Sequence, residues 1–518
     1  MKTRVVAAAL LVLLFFVVRW NTFAAPFERD EGEYAYSAWL MRHNLVPYEE
    51  AFLQKPPMIL YAYLAGQTLV GDFVWVPRVL AILFLAGATL GLASFARREI
   101  SDGADLTVAW LATPMLALPA LLPFAANTES FLLLPLIATL VIYSRHRGRA
   151  APREWFAAGC CASLSLLFKP IDIYLLSFVA IVWIAETWID TRALRTVLRG
   201  VASGIAGVLA AAAVVLAWFL IKGAGRSMWE EVVTFNLHYA RLVGQGGAAF
   251  EEQMRTLWIY WRIVLLLPIW LVIRRPPRWW FHLGLGATAL LGIYQSRNGH
   301  YYLLLAPFLA LAATASIHDI FAVVAKRWTN VDVRLALGGL VAFTAILMFL
   351  PAFQLVGLTP NEITERIYGS SNPFVESPVV AERVAALSKP GDYVYVAGSE
   401  PQILYYARRR SATRFVIAYP LMLDTPPARG YQVQAIREMT EHPPAVIVFA
   451  RSNLSWGRLP GSPEVLLPYV KGMLDRDFQL VGGFIRDGET AAWTEPLRRE
   501  QMLQCSLLVF VRKSAPAR

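Results

Sequence analysis

Residues 200–221 read GVASGIAGVLAAAAVVLAWFLI, an uncharged stretch bounded by Arg199 and Lys222. About 20 apolar residues wound as a helix cross the ~30 Å hydrocarbon core of a bilayer, so this stretch reads as a membrane span. Similar runs lie outward from it at 171–189, 155–168, 129–144, 104–122, 73–96 and 5–20 toward the N-terminus, and at 258–273, 279–295, 300–318 and 334–353 toward the C-terminus. The reading is a polytopic α-helical membrane protein with about eleven transmembrane helices. Composition agrees, with 57% hydrophobic and 16% charged residues in 518. The net charge of +11 does not point to nucleic acid, because the arginines sit in short loops between apolar runs and not in a patch interleaved with aromatics. Three cysteines, Cys160 and Cys161 adjacent and Cys505 remote, exclude a disulfide framework and a spaced metal site.

Between the runs at 155–168 and 171–189 stands Lys169-Pro170, where the residue before proline resists helical geometry, so two short or tilted spans are expected. The first run ends in VRWNT, an aromatic anchor and not a small-residue cleavage site, and is expected to be retained. Arginine and lysine at 97–98, 145–153, 192–199, 274–278 and 326–334 mark one set of loops as cytoplasmic. Residues 21–72, the turn at 127–129, the loop 222–257, the turn 295–300 and everything after about 354 then share the outer face. Loop 222–257, long and glycine-bearing, is expected to be a lid.

After the transmembrane region, 1–353, the pattern changes. Residues 354–378, with Pro360, Pro373 and Pro378, read as a linker, and 379–518 as a soluble mixed α/β domain with strands at 393–396, 445–449 and 507–511 between helical stretches.

The first outer segment contains FERDEGEYAY at 27–36. Tyr34, Ala38, Met41 and Leu45 recur at helical spacing, predicting a helix lying in the membrane interface with one apolar face. Asp30 at its start has an ordinary reading, as helix cap, with Glu31 and Glu33 favourable in the first turn. Three other features share its face. Glu129 heads the fourth span, Lys55 is stiffened by Pro56-Pro57, and His300-Tyr301-Tyr302 with Arg297 tops the tenth. Carboxylates and cations together at a lipid boundary suit a substrate with a phosphate head and a lipid tail.

RDEGEYAY at 29–36, QKPPMILY at 54–61, Pro77-Arg78, NTE at 127–129 and HYY at 300–302, in that order, resemble the family-39 type of integral membrane glycosyltransferase, which includes protein O-mannosyltransferases and the lipid A aminoarabinose transferase. The resemblance implies a GT-C fold, a polyprenyl-phosphate-sugar donor, and lipid A, a cell-wall glycan or a protein as acceptor. It implies Asp30 as catalytic base, Glu129 as a second catalytic carboxylate that orients acceptor or base, and Lys55 and Arg78 as substrate contacts; Glu31, Arg297, His300 and Tyr301, on the same face, are further candidate substrate contacts. It also implies transfer on the outer face and, by closeness to the bacterial members, a bacterial inner membrane; the loop charges put the C-terminal domain outside, and an inverting single displacement is the expected mechanism. Relatives carry Glu-Lys-Pro-Pro where this chain has Gln54-Lys-Pro-Pro, so no metal ligand transfers at that position; no cofactor is firmly implied and a divalent metal has no support. The alternative is a transporter of a lipid-linked or anionic solute, for which Lys169-Pro170 and Asp172 are the sequence hint.

Overall fold

The computed structural model describes residues 2–147, 151–243, 247–296, 298–327, 332–487, 490–498 and 500–513. Among these, seven helices are long and apolar enough to cross a membrane: Trp75–Glu99, Thr128–Arg145, Pro170–Thr191, Leu194–Ile221, Phe250–Arg274, Gly299–Lys326 and Leu335–Phe353. The other four apolar runs form the shorter helices Lys2–Val17, Ala104–Met115, Pro152–Phe168 and Trp279–Ile293, so helix length alone does not give eleven spans. One reason is proline: Lys169 is extended, with φ −169° and ψ 126°, as its position before Pro170 requires, and the helix before it stops at Phe168.

Small residues let two of these helices touch backbone to backbone. Gly159 lies against the Gly204 carbonyl and Gly207 against that of Phe156, so a Cβ at either glycine would overlap the facing chain. One end of the bundle is tied by Arg278, which reaches Glu99 at 2.9 Å and also pairs with Glu186, itself accepting from the Tyr143 hydroxyl at 2.7 Å.

The C-terminal region forms one sheet from β1 (Tyr393–Ala397), β2 (Arg410–Ser411), β3 (Val446–Ala450), β4 (Phe478–Asp487), β5 (Thr490–Thr494) and β6 (Cys505–Arg512), in the order β2-β1-β3-β6-β4-β5. β1 runs parallel to β2 and β3, whereas β6 is antiparallel to β3 and β4. The three expected strands are β1, β3 and β6. β2 pairs only two residues and β4 carries Gly482-Gly483 at its centre, which hides both from a pattern of alternating β-formers. Before the sheet, residues 354–378 contain a helix, Pro360–Tyr368, closed by reciprocal bonds between Thr359 and Glu362.

This domain sits on the first polar segment. The helix Arg29–Arg42 packs against Met58–Leu69 on one side and Pro401–Ala407 on the other. Everything from Glu31 to Met41 is buried, so the expected interfacial helix with one apolar face is corrected: the C-terminal domain covers its polar face too. The Tyr36 hydroxyl accepts from the Ser411 amide at 2.9 Å, the Phe52 amide donates to the Arg414 carbonyl at 2.6 Å, and Arg410 pairs with Glu50 at 2.8 Å. The expected lid, 222–257, is a turn at 222–224 and helical from Gly225 where described, and its Glu231 accepts from the Leu53 amide at 2.5 Å and pairs with Arg414. Gly32 marks the tightest contact: a Cβ there would lie 2.7 Å from the Gln402 backbone nitrogen. Gly32→Ala is therefore expected to destabilise the protein by about 1–3 kcal/mol, an overpacking cost, read as a lower melting temperature in detergent. An unchanged melting temperature would mean that the two regions do not pack this closely.

Candidate active site

The helix Arg29–Arg42 is capped by Glu28, not by Asp30. The Glu28 carboxylate accepts from the Asp30 and Glu31 amides at 3.0 and 3.1 Å, and Glu31 returns a bond to the Glu28 amide. That releases the Asp30 carboxylate, which lines a cavity of about 870 Å³ together with Lys55, Lys169, His300 and Tyr301.

Two networks meet at Asp30. Lys55 Nζ stands 3.9 Å from Asp30 Oδ2, and its backbone is fixed by a 2.9 Å bond from the Tyr48 hydroxyl to the Lys55 carbonyl. The other network is centred on Glu129, which Lys169 Nζ approaches to 2.5 Å and His300 Nε2 to 3.8 Å; Lys169 lies 3.4 Å above the Tyr301 ring. Glu129 is buried behind these partners, and the Thr128 hydroxyl donates to it at 3.0 Å.

Electrostatics set Asp30 apart from its neighbour Glu33. Burial works to raise the Asp30 pKa, but Lys55 above all, then His300 and Lys169, outweigh it and hold the carboxyl below its ordinary range. Burial opposes the Lys55 charge, yet Asp30 and Glu33 hold the ammonium above its usual value. Glu33, one turn along, has both carboxylate oxygens buried without a hydrogen-bond partner, and burial pushes its pKa up to about 8 despite Lys55. In the unfolded chain that proton is lost near 4.5, whereas the folded chain keeps it to about pH 8. The unfolded state is thus increasingly favoured as pH rises through this window. Glu33→Gln removes the effect, so its melting advantage over the wild type is expected to grow between pH 5 and pH 8, reaching a few kcal/mol on the order of magnitude set by about 1.4 kcal/mol per pKa unit. A gap independent of pH would show that Glu33 ionises normally.

Glu31 and Arg78 face each other and not the cavity. Arg78 grips Glu31 through two bonds of 2.9 and 2.6 Å and donates its remaining hydrogens to the carbonyls of Thr22, Phe23, Ala25 and Pro26, while Glu31 also accepts from the Ala126 amide at 2.9 Å. The pair ties residues 22–31 to the Trp75–Glu99 helix. Arg297 lies outside the described residues. Lys169 was legible in the sequence as a helix break and as a hint of a transporter, not as a partner of Glu129; a lysine between two apolar runs was the available signal. Among the described residues, no group of three or more His, Cys, Asp or Glu side chains is placed to hold a metal ion.

The chain has the GT-C fold, a bundle of apolar helices with a C-terminal mixed-sheet domain. Among solved structures it is similar to ArnT from Cupriavidus metallidurans bound to undecaprenyl phosphate, at 14% identity and a TM-score of 0.57, over 99% of this chain and 98% of that one. It is also similar to the archaeal oligosaccharyltransferase AglB from Archaeoglobus fulgidus in complex with an inhibitory peptide and a dolichol-phosphate, at 12% identity and a TM-score of 0.51, over 96% of this chain and 75% of that one. A third is the arabinofuranosyltransferase AftD from Mycobacteria, at 15% identity and a TM-score of 0.50, over 98% of this chain and 41% of that one. No protein-family model and no curated protein sequence matches the chain.

Proposed function

We propose that the protein transfers a sugar from a polyprenyl-phosphate donor to the hydroxyl of an acceptor, by single displacement with inversion. The observation that carries this reading is the meeting, in one cavity, of an ionised Asp30 with Lys55 and Lys169. Tyr174, Leu291 and Tyr294 line the same cavity and are also about half exposed on the helix surface, where a lipid tail would run. The likeness to ArnT and AglB, whose structures hold undecaprenyl phosphate and dolichol-phosphate, supports the donor class.

In this mechanism the acceptor oxygen attacks the anomeric carbon as its proton passes to Asp30. The bond from that carbon to the phosphate oxygen breaks, and its electron pair leaves on the polyprenyl phosphate, whose charge Lys55 and Lys169 neutralise. Donor binding also prepares the base. A phosphate beside the lysines cancels part of the field that depresses Asp30, which raises its basicity once the leaving group is in place. Glu129 holds Lys169 and His300 in position; Glu31 and Arg78 fix the segment that carries Asp30. The arginine-rich loops at the opposite end of the bundle support placing this site on the outer face of a bacterial inner membrane, with the sheet domain outside. Lys169-Pro170, the hint of a transporter, breaks the helix at the same cavity that Asp30 lines, where the enzyme reading uses Lys169.

The test is transfer by the purified protein in nanodiscs, with undecaprenyl-phosphate sugars as donors and a membrane extract as acceptor. Release of undecaprenyl phosphate with labelled product supports the reading; tight donor binding without release under any condition would overturn it.

A further inference from the structure

The cavity has two chemically different sides. One is cationic: Lys55, Lys169 and His300, with Tyr301 beneath Lys169. The other is a connected set of uncharged groups from three parts of the chain. Gln54 Nε2 donates to the Tyr419 hydroxyl at 2.7 Å, Asn236 Nδ2 donates to the Gln54 carbonyl at 2.7 Å, and Tyr239, which packs on Phe235 with ring centroids 6.2 Å apart, completes the wall. Gln54 Oε1 is buried there without a hydrogen-bond partner. Arg29, which also lines the cavity, is engaged elsewhere: it donates to the Ser399 carbonyl at 2.6 Å and pairs with Glu400 at 2.9 Å.

Resting on the transferase reading, we propose that the wall formed by Gln54, Asn236, Tyr239 and Tyr419 is the acceptor subsite and that it takes a neutral saccharide. Among the described residues, the cations lining the cavity are Lys55, Lys169 and His300 on the donor side and Arg29, already paired with Glu400, so an anionic lipid headgroup would find little on this wall to offset its desolvation. A neutral sugar matches both halves of the lining: tyrosine rings cover its apolar C–H face, and the amides, with the open Gln54 oxygen, bond its hydroxyls. The wall joins the transmembrane part to the C-terminal domain through Tyr419, which gives that domain a direct share in acceptor choice. At about 870 Å³ the cavity falls within the range of small-molecule sites, with room for a donor sugar and a terminal acceptor sugar side by side.

The experiment measures equilibrium binding to the full chain in nanodiscs by saturation-transfer NMR. The probes are neutral tetrasaccharides of glucose, mannose and arabinose, a diphosphorylated lipid A, a Ser/Thr-rich peptide and, separately, undecaprenyl phosphate. Saccharide binding is expected at millimolar concentration. Tyr419→Phe and Asn236→Ala should each weaken it about tenfold, the scale of one lost hydrogen bond between uncharged groups, and leave undecaprenyl phosphate affinity unchanged. Lys55→Met should do the reverse. Binding of diphosphorylated lipid A or of the peptide in place of every saccharide would overturn the inference while leaving the transferase reading intact, as would saccharide binding that both wall variants retain, or an absence of saccharide binding. Failure of undecaprenyl phosphate to bind would instead sink the transferase reading, and the saccharide measurements would still decide the wall on their own.

Discussion

Asp30→Asn is expected to lower turnover by about 10²–10⁴-fold, the range typical for loss of a positioned general base, while donor affinity and melting temperature stay close to the wild type. The substitution is nearly isosteric, and the structure limits its side effects. Helix capping belongs to Glu28, so the amide at position 30 removes no cap, and the carboxylate faces a cavity and not a packed core. The change in charge leaves Lys55 near Glu33 and leaves the Lys169–Glu129 contact untouched. The measurement is single-turnover transfer from an undecaprenyl-phosphate sugar, with melting followed in parallel. Turnover within about threefold of the wild type, against the expected loss, would remove Asp30 from the proton transfer.

The second large effect concerns stability. Arg78→Met leaves Glu31 fully buried without its bidentate partner, and takes the arginine donors from the carbonyls of Thr22, Phe23, Ala25 and Pro26, of which Thr22 keeps a bond from the Ala25 amide. Breaking a buried ion pair from one side costs about 3–5 kcal/mol, so the variant should melt well below the wild type or fail to accumulate in the membrane. Glu31→Leu combined with Arg78→Met should recover part of the loss, because no uncompensated charge then remains. A double variant no better than the single one would shift the weight from the ion pair to the carbonyls that Arg78 collects. Activity discriminates the two residue sets: Asp30→Asn should be folded and inactive, whereas Arg78→Met should lose activity only as it loses structure.

The capping question shows how far local pattern could reach. The segment at 27–36 places four carboxylates within six residues, and spacing alone assigns the cap to any acidic residue near the helix start. Only the backbone path decides that Glu28 has the extended geometry of a cap, with φ −78° and ψ 178°, which leaves Asp30 one residue inside the helix with its side chain free. The neighbouring carboxylates diverge for the same kind of reason: Asp30 pairs with Lys55, Glu31 pairs with Arg78, and Glu33, though within the field of Lys55, is buried without a hydrogen-bond partner among the described residues. Lys169 is the residue that local reading noticed but did not join to the site. Its partner, Glu129, is 40 positions away, and no periodicity connects them.

The sequence by itself determined the membrane class, the positions of the apolar runs, the C-terminal sheet domain and the gathering of polar groups at one end of the bundle. These follow from local physical chemistry: hydrocarbon demands uninterrupted apolar helices, proline ends them, and arginine collects on one side. Tertiary structure alone decided which carboxylate is free, which arginine is spent on a buried pair, that Lys169 belongs to the site, and that the C-terminal domain presses on the helix carrying Asp30. Each of these is a contact between segments far apart in the chain, where burial and charge pairing depend on the position of the partner and on nothing encoded nearby.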